Sequence, residues 1–144
     1  MGGMNMMQQI SKLSRVIEIL RKQLNKDLPS QHIAMLLAVA QQPGITMPEL
    51  CRQLDMPQGT VSRNVKLMSH YFDKAGDGQT KKGYGLLETD QAETNRYQLS
   101  VFLTPEGERL VKKLVMTMGN EHSVNELAEQ VTENTGIKKS QVLS

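Results

Sequence analysis

Aromatic residues are scarce in this chain, and tryptophan is absent. Phe, Tyr and Trp together make up 3% of the 144 residues, so the core must come from Leu, Val, Ile and the ten Met. Methionine fills irregular gaps in a core and tolerates repacking. A chain of this length suits one domain and is long enough to bury such a core.

Cysteines and long apolar runs are also few. The single cysteine, Cys51, excludes a disulfide within the chain, and with three scattered His it offers no cysteine–histidine zinc site. No apolar run approaches the ~18 residues of a membrane span, and the Met- and Gln-rich N-terminus lacks an apolar signal core. We therefore expect a soluble, cytoplasmic protein with no metal, no cofactor and no membrane partner.

A large excess of charge of either sign is lacking as well. Lys and Arg total 17 and Asp and Glu total 15, a net charge of +2 that does not by itself indicate nucleic-acid binding. The charges are unevenly spread, however. Basic residues outnumber acidic ones in 1–26 and 57–85, whereas acidic residues outnumber basic ones in 104–135. The near-neutral total therefore averages over two basic segments and an acidic one, and this asymmetry is more informative than the total.

The N-terminal residues have the pattern of an amphipathic helix over about 6–24. Its apolar seam, with alternating spacings of three and four, consists of Ile10, Leu13, Ile17, Leu20 and Leu24. Such a seam either docks on the core of its own domain or serves as a dimerisation helix, and the two roles are compatible. We assign residues 1–28 to an N-terminal dimerisation helix.

Further helix and strand signals follow in a regular order. Helices are predicted over about 31–41, 47–54, 58 to 71 or 72, 105–118 and 124–131, and strands over 84–89 and 96–103. Ser30, Thr46 and Thr104 are the predicted N-caps, and Glu49 completes a capping box with Thr46. A polar, Gly-rich loop is expected over 73–83 and a polar hairpin tip over 90–95. We expect the tail, 134–144, to be disordered.

Residues 50–63 fit a helix-turn-helix. Cys51 takes the small, buried position where the two helices approach, and Asp55 suits the left-handed conformation of the turn. The apolar residues that fill the space between the helices are Leu50, Leu54, Met56 and Val61.

The polar residues of the second helix of this motif are the candidate DNA contacts. They are Gln58, Gly59, Thr60, Ser62, Arg63 and Lys66. Arg63 is the strongest candidate, because a guanidinium can donate to two guanine acceptors and discriminate between bases by ~1–3 kcal/mol. The alternative for Arg63 is a solvated charge on the helix surface. The alternative for the residues near the helix start is that they only cap the helix. Lys66 is expected to contact phosphate or water rather than a base.

The two strands with a polar tip turn the helix-turn-helix into a winged helix. At the tip, Thr94, Asn95 and Arg96 are expected to enter or flank the minor groove. Alternatively, Arg96 pairs with an acid at the base of the wing. In the loop before the wing, Lys81 and Lys82 are either phosphate contacts or part of a solvated basic loop.

At this point the chain resembles the MarR family of winged-helix transcription regulators. The resemblance spans roughly residues 8 to 132. It rests on residues 28–36 at the start of the second helix, on residues 50–63, and on Asp90 and Arg96, which bracket the wing. Its most distinctive piece is Leu-Thr-Pro-Glu-Gly at 103–107, which is similar to the family's Leu-Thr-x-x-Gly. The loop over 73–83 is longer than the family's usual link, and the C-terminal helix is short.

The resemblance implies a fold that is mainly α with a small β-hairpin (α+β). It implies a winged helix-turn-helix domain over 29–104, with a reading head at 46–72 and a wing at 84–103. It further implies C-terminal dimerisation helices over 105–133 and a homodimer that places two reading heads in successive major grooves. In the family a pocket between the dimer and the reading head often holds a small-molecule effector. Here such a pocket would be aliphatic and Met-rich, and the alternative is that these residues are only core.

The function predicted from the sequence is sequence-specific binding of double-stranded DNA. We expect a repressor that occludes a promoter and is associated with the nucleoid when bound. The alternative is a winged-helix module for protein interaction or replication that uses the same surface on another partner. The sequence has no Gly-rich phosphate loop and no nucleophile with an orienting base nearby, so we do not expect an enzyme.

Overall fold

The computed structural model describes residues 5–73, 80–92 and 97–119. It contains, in chain order, α1 (Met6–Gln23), α2 (Ser30–Gln41), β1 (Ile45–Thr46), α3 (Met47–Leu54), α4 (Gln58–Met68), β2 (Tyr71–Asp73), β3 (Thr80–Lys82), β4 (Leu87–Gln91), β5 (Leu99–Leu103) and α5 (Pro105–Met118). The predicted fold class, mainly helical with small antiparallel sheets, is confirmed.

Side chains cap three of the helices. The hydroxyl oxygen of Thr46 accepts from the Glu49 amide at 3.4 Å, and that of Thr104 accepts from the Gly107 amide at 3.1 Å. In a capping box the Glu49 carboxylate would accept from the Thr46 backbone amide. Here it accepts from the Thr46 hydroxyl instead, so the predicted cap forms without the full box. At α1, an unpredicted capping box joins Asn5 to Gln8.

The predicted N-cap Ser30 is wrong. Ser30 is already helical, and the extended residue before α2 is Pro29, which makes no side-chain capping bond. Proline favours this position because its fixed φ suits an extended residue at the helix start, here φ −62° with ψ 141°.

The core is aliphatic and methionine-rich, as the composition predicts. Its largest fully buried side chains are Leu20, Met35, Leu36, Ile45, Leu50, Met68, Leu87, Val39, Val61 and Val101. These residues come from α1, α2, α3, α4 and the three-stranded sheet, so one core joins the helix-turn-helix to the strands that follow it.

The wing strands differ from their predicted bounds. In the sheet of order β1-β5-β4, the antiparallel register pairs Leu87 with Leu103 and Gln91 with Leu99. The predicted first strand began at Tyr84, but the amides of Tyr84 and Leu86 instead donate to carbonyls at the end of α4. The strand therefore begins at Leu87 and includes Asp90 and Gln91, two residues that the sequence places in the hairpin tip.

A second hairpin, made of β2 and β3, overlaps both ends of the predicted loop, of which 74–79 lie outside the described residues. Helix α4 ends at Met68 rather than at residue 71 or 72, and the Ser69 hydroxyl bonds the carbonyl of Val65. The next residues form β2, which pairs with β3 and places Phe72 opposite Lys81. Tyr and Phe favour strands, and this preference together with the extended Ser69 ends the helix early. Strand β3 lies within the stretch predicted as a loop.

Helix α5 packs against α1, and Lys12 Nζ donates to the carbonyls of Met118 and Gly119, each at 3.3 Å. The second C-terminal helix and the tail that we predict lie outside the described residues. Within the described part of the chain, none of the helices has the length and apolarity needed to cross a membrane.

Candidate nucleic-acid interface

The turn between α3 and α4 has the geometry of a helix-turn-helix. Asp55 adopts the predicted left-handed conformation with φ 52°, and the Met56 amide donates to the Cys51 carbonyl at 3.1 Å. Leu50 and Val61 are fully buried between the helices. Cys51 is only half-buried, so the prediction of a buried cysteine is wrong, although Cys51 does pack against the core.

Helix α4 has one buried and one exposed face. Val61, Val65 and Met68 anchor it in the core. Of the predicted contacts, Thr60 is half-buried, and the exposed ones are Gln58, Gly59, Ser62, Arg63 and Lys66. The structure therefore exposes five of the six residues on α4, with Gly59, Ser62, Arg63 and Lys66 on the side opposite the buried face.

The Arg63 guanidinium lies back along the first turn of α4. Its Nη2 donates to the Thr60 hydroxyl at 3.4 Å, and its Nη1 would lie 3.5 Å from a Cβ at Gly59. Pro57, the N-cap, makes no side-chain capping bond. The Arg63 guanidinium therefore lies beside the N-terminal turn of α4, where the free backbone amides of a helix attract anions.

Lys66 has a partner that the sequence did not reveal. Its Nζ lies 5.1 Å from the centre of the Tyr71 ring, a distance suited to a cation–π contact. Tyr71 lies in β2, beyond the end of the helix, so helical spacing gives no signal for this pair.

Lys81 and Lys82 both lie in β3 and are exposed. Lys82 Nζ pairs with Asp73 Oδ2 at 2.8 Å. The hydrogen bond to Asp73 and the charge of that carboxylate raise the pKa of Lys82 above its ordinary value. Lys82 is therefore not simply a solvated charge in a basic loop, because it joins the two strands of the hairpin.

A buried polar pair connects α4 to α2 and was also missed. His32 is 4% exposed, and its Nε2 lies 3.2 Å from Asn64 Oδ1, which can only accept. The His32 ring meets Tyr84 edge-on, with the ring centres 6.3 Å apart. Among the described residues, His32 Nδ1 and Asn64 Nδ2 find no hydrogen-bond partner. The residues are 32 positions apart, and no motif announces the contact.

The wing tip residues Thr94, Asn95 and Arg96 lie outside the described residues. Asp90 is exposed in β4, and its carboxylate accepts from the Gln91 amide at 2.8 Å. Minor-groove contact by Arg96 and pairing of Arg96 with an acid both stay predictions.

The apolar seam of α1 divides into two parts. Ile10, Leu13 and Ile17 are 50%, 56% and 44% exposed. Leu20 is buried in the chain's own core, and Leu24 packs against that core. The helix therefore packs on the chain's own core towards its C-terminal end and leaves an uncovered apolar face towards its start, and its role in dimerisation stays a prediction.

A cleft of about 400 Å³ lies between α1, α5 and the segment before β4. It is lined by Gln23, Leu24, Tyr84, Leu86, Glu106, Arg109, Leu110 and Lys113. Its described lining mixes charged and aliphatic residues and contains no Met, unlike the pocket that we expect for an effector. The effector itself stays a prediction. The described residues also hold no group of His, Cys, Asp and Glu side chains suited to a metal ion.

Comparison with known proteins bears on the helix-turn-helix directly. Residues 26–69 match the model of the MarR family. The crystal structure of MarR aligns with a TM-score of 0.50 and 20% identity over 88% of this chain and 82% of that one. Bordetella bronchiseptica BpsR, whose DNA binding is regulated by 6-hydroxynicotinic acid, aligns with a TM-score of 0.46 and 20% identity over 93% of this chain and 86% of that one. Among curated proteins, no sequence matches significantly.

The matched segment runs from the end of α1 to the end of α4 and includes the whole helix-turn-helix. The family match supports a DNA-binding transcription regulator. The predicted resemblance is confirmed in two respects: residues 26–69 match the model of the MarR family, and the chain shares the winged-helix fold of the MarR structure.

Proposed function

We propose that this chain is a sequence-specific, double-stranded DNA-binding transcription regulator that acts as a homodimeric repressor. The observation that carries the proposal is the outward face of α4, where Arg63 and Lys66 are exposed while Val61 and Val65 hold the helix in the core. The match of this segment to the MarR family supports the same reading.

In this proposal α4 lies in the major groove with its first turn at the base edges. Arg63 exchanges its long bond to Thr60 for two guanine acceptors. Gln58 and Ser62 contact bases or phosphates near the helix start, and Lys66 contacts phosphate. The wing residues Thr94, Asn95 and Arg96 contact the minor groove.

The exposed part of the α1 seam supports the homodimer. Ile10, Leu13 and Ile17 present large apolar side chains at helical spacing, and α1 also packs against α5. A second copy that covers this face would place two reading heads on one duplex. For a helix-turn-helix dimer, half-sites are then about one helical turn, ~34 Å, apart. A bound dimer of this kind represses by occluding a promoter.

Selection of bound sequences from a random duplex library tests the function. The expected result is a palindrome, and Arg63→Ala should reduce discrimination between the selected and a scrambled duplex about 10-fold or more. Arg109→Ala is the matched control, because Arg109 is an exposed arginine on α5 and far from α4 in the chain. Negligible binding to every duplex at low salt would refute the proposal and favour the protein-interaction module.

Analytical ultracentrifugation tests the dimer. Leu13→Lys should give a folded monomer, since Leu13 is 56% exposed on α1. Leu37→Lys is the control, because Leu37 is an exposed leucine of α2 outside the seam. A wild-type protein that sediments as a monomer at every concentration tested would contradict this part of the proposal.

A further inference from the structure

The β2–β3 hairpin extends the outward face of α4. We propose that this hairpin is a second DNA-binding element, which contacts the phosphate backbone beyond the end of α4 through Lys82, and that Asp73 weakens this contact. The inference rests on the proposed function, because it requires α4 to lie against DNA.

The hairpin is fixed to the end of α4 at its base. The Tyr84 amide donates to the Leu67 carbonyl at 3.0 Å, and the Leu86 amide donates to the Met68 carbonyl at 2.8 Å. Gly83 has φ +96°, and a Cβ there would overlap the backbone oxygen of Ser69. Because the chain returns so closely to the helix end, the hairpin keeps its position relative to the exposed face of α4.

One face of the hairpin continues the cationic side of the helix. Lys66 of α4 lies over the Tyr71 ring, and Tyr71 is directly opposite Lys82 in the antiparallel register. Directly opposed residues point to the same side of a β-ribbon. Exposed cations therefore follow one another from Arg63 through Lys66 to Lys82, which is the arrangement that a phosphate backbone complements.

Asp73 interrupts this cationic series. It lies diagonally from Lys82 on the same face, and their side chains are 2.8 Å apart. The carboxylate both competes with phosphate for the ammonium and repels the phosphate. An exposed ion pair of this kind is weak, so DNA can displace it, but the net attraction of the hairpin is smaller than Lys82 alone would provide.

The other face of the hairpin supplies an internal control. Phe72, which is 58% exposed, pairs with Lys81, so both side chains point away from the face that carries Tyr71 and Lys82. Lys81 and Lys82 have the same charge and adjacent positions. If only the charge of the hairpin matters, replacing either lysine should weaken DNA binding equally. If only the face that carries Lys82 contacts DNA, replacing Lys82 should weaken binding more than replacing Lys81.

Fluorescence anisotropy of the full chain on a random-sequence 30-bp duplex, titrated with NaCl, tests the proposal. Asp73→Asn should tighten binding about 3- to 10-fold and steepen the log–log salt dependence by up to about 0.9, the value for one full phosphate contact, because Asp73 no longer competes with phosphate for Lys82. Lys82→Ala in the Asp73→Asn background should abolish this gain, and Lys81→Ala in that background should preserve it.

Circular dichroism of each variant identifies any loss of fold. Unchanged affinity for Asp73→Asn, or equal losses for Lys81→Ala and Lys82→Ala, would overturn the hairpin proposal. The proposed function is tested separately, because loss of sequence discrimination in Arg63→Ala supports it whatever the hairpin does. Failure of the wild-type chain to bind any duplex would refute both.

Discussion

Replacing Gly107 with alanine should destabilise the fold, although glycine is a poor helix former. Gly107 lies in the first turn of α5, and a Cβ at this position would overlap the backbone oxygen of Leu86 and meet Leu103 Cβ at 3.4 Å. The overlapped atom is backbone, so rotation of a side chain cannot relieve the contact. The start of α5 must move away from the segment before β4.

Two hydrogen bonds depend on that approach. The Thr104 amide donates to the same Leu86 oxygen at 2.9 Å, and the Thr104 hydroxyl caps the Gly107 amide at 3.1 Å. Loss of the first costs about 1 kcal/mol, and loss of the cap costs about 1 kcal/mol more. Repacking of the helix adds a similar amount, and the better helix propensity of alanine returns up to about 1 kcal/mol. We expect a net loss of about 2 kcal/mol in the free energy of unfolding.

Urea denaturation followed by circular dichroism, at one protein concentration, measures this loss. Gly59→Ala is the matched control, because Gly59 is also in the first turn of a helix but a Cβ there would meet only Arg63 Nη1 at 3.5 Å. That variant should be more stable than wild type by about 0.5–1 kcal/mol. If both substitutions stabilise the protein equally, the close approach of α5 to Leu86 is not what requires glycine.

Three further measurements check other parts of the structure. Gly83→Ala should lower the free energy of unfolding by at least about 1–3 kcal/mol in urea denaturation. The backbone of Gly83 has φ +96°, and a Cβ there would overlap the backbone oxygen of Ser69. A variant as stable as wild type would contradict that geometry. Burial, and then the charge of Glu88, raise the pKa of Glu108 above its ordinary 4.5, so ionised Glu108 disfavours the folded state. Glu108→Gln should therefore raise the melting temperature at pH 7, and the gain should vanish as the pH falls below 4.5; a gain independent of pH would exclude this cause. A double-mutant cycle of His32→Leu and Asn64→Leu in urea should give a coupling of about 0.5–1.5 kcal/mol, and strictly additive effects would show that their hydrogen bond contributes nothing.

The sequence predicts the helices well, because their signals are local. The spacing of apolar residues places α1, α2 and α3, and Thr46 and Thr104 mark helix starts through bonds that span only three residues. The end of α4 was missed because Tyr71 can continue a helical apolar pattern and can equally begin a strand. Its pairing with Lys82 decides the matter, and that partner lies across a stretch that has no strand pattern of its own.

In the candidate site, too, the sequence reveals what depends on local spacing and misses what depends on contacts with other elements. The outward polar face of α4 follows from helical periodicity, so the sequence identifies its exposed residues together. The contacts that α4 makes with its surroundings do not follow helical spacing. His32 of α2 contacts Asn64 of α4, and Lys66 contacts Tyr71 beyond the end of α4. Neither pair has a spacing that periodicity could detect.

The bonds from Tyr84 and Leu86 to the last carbonyls of α4 also restrict how DNA affinity can be regulated. These amides immediately precede β4, so the strand that leads into the wing begins where the reading helix ends. In the proposed dimer, α4 and the wing would then keep a constant distance and angle. The two elements would bind a DNA half-site together and dissociate from it together. A signal that alters affinity would then act on the distance or angle between the two half-molecules, because these bonds hold α4 and the start of β4 together within each one.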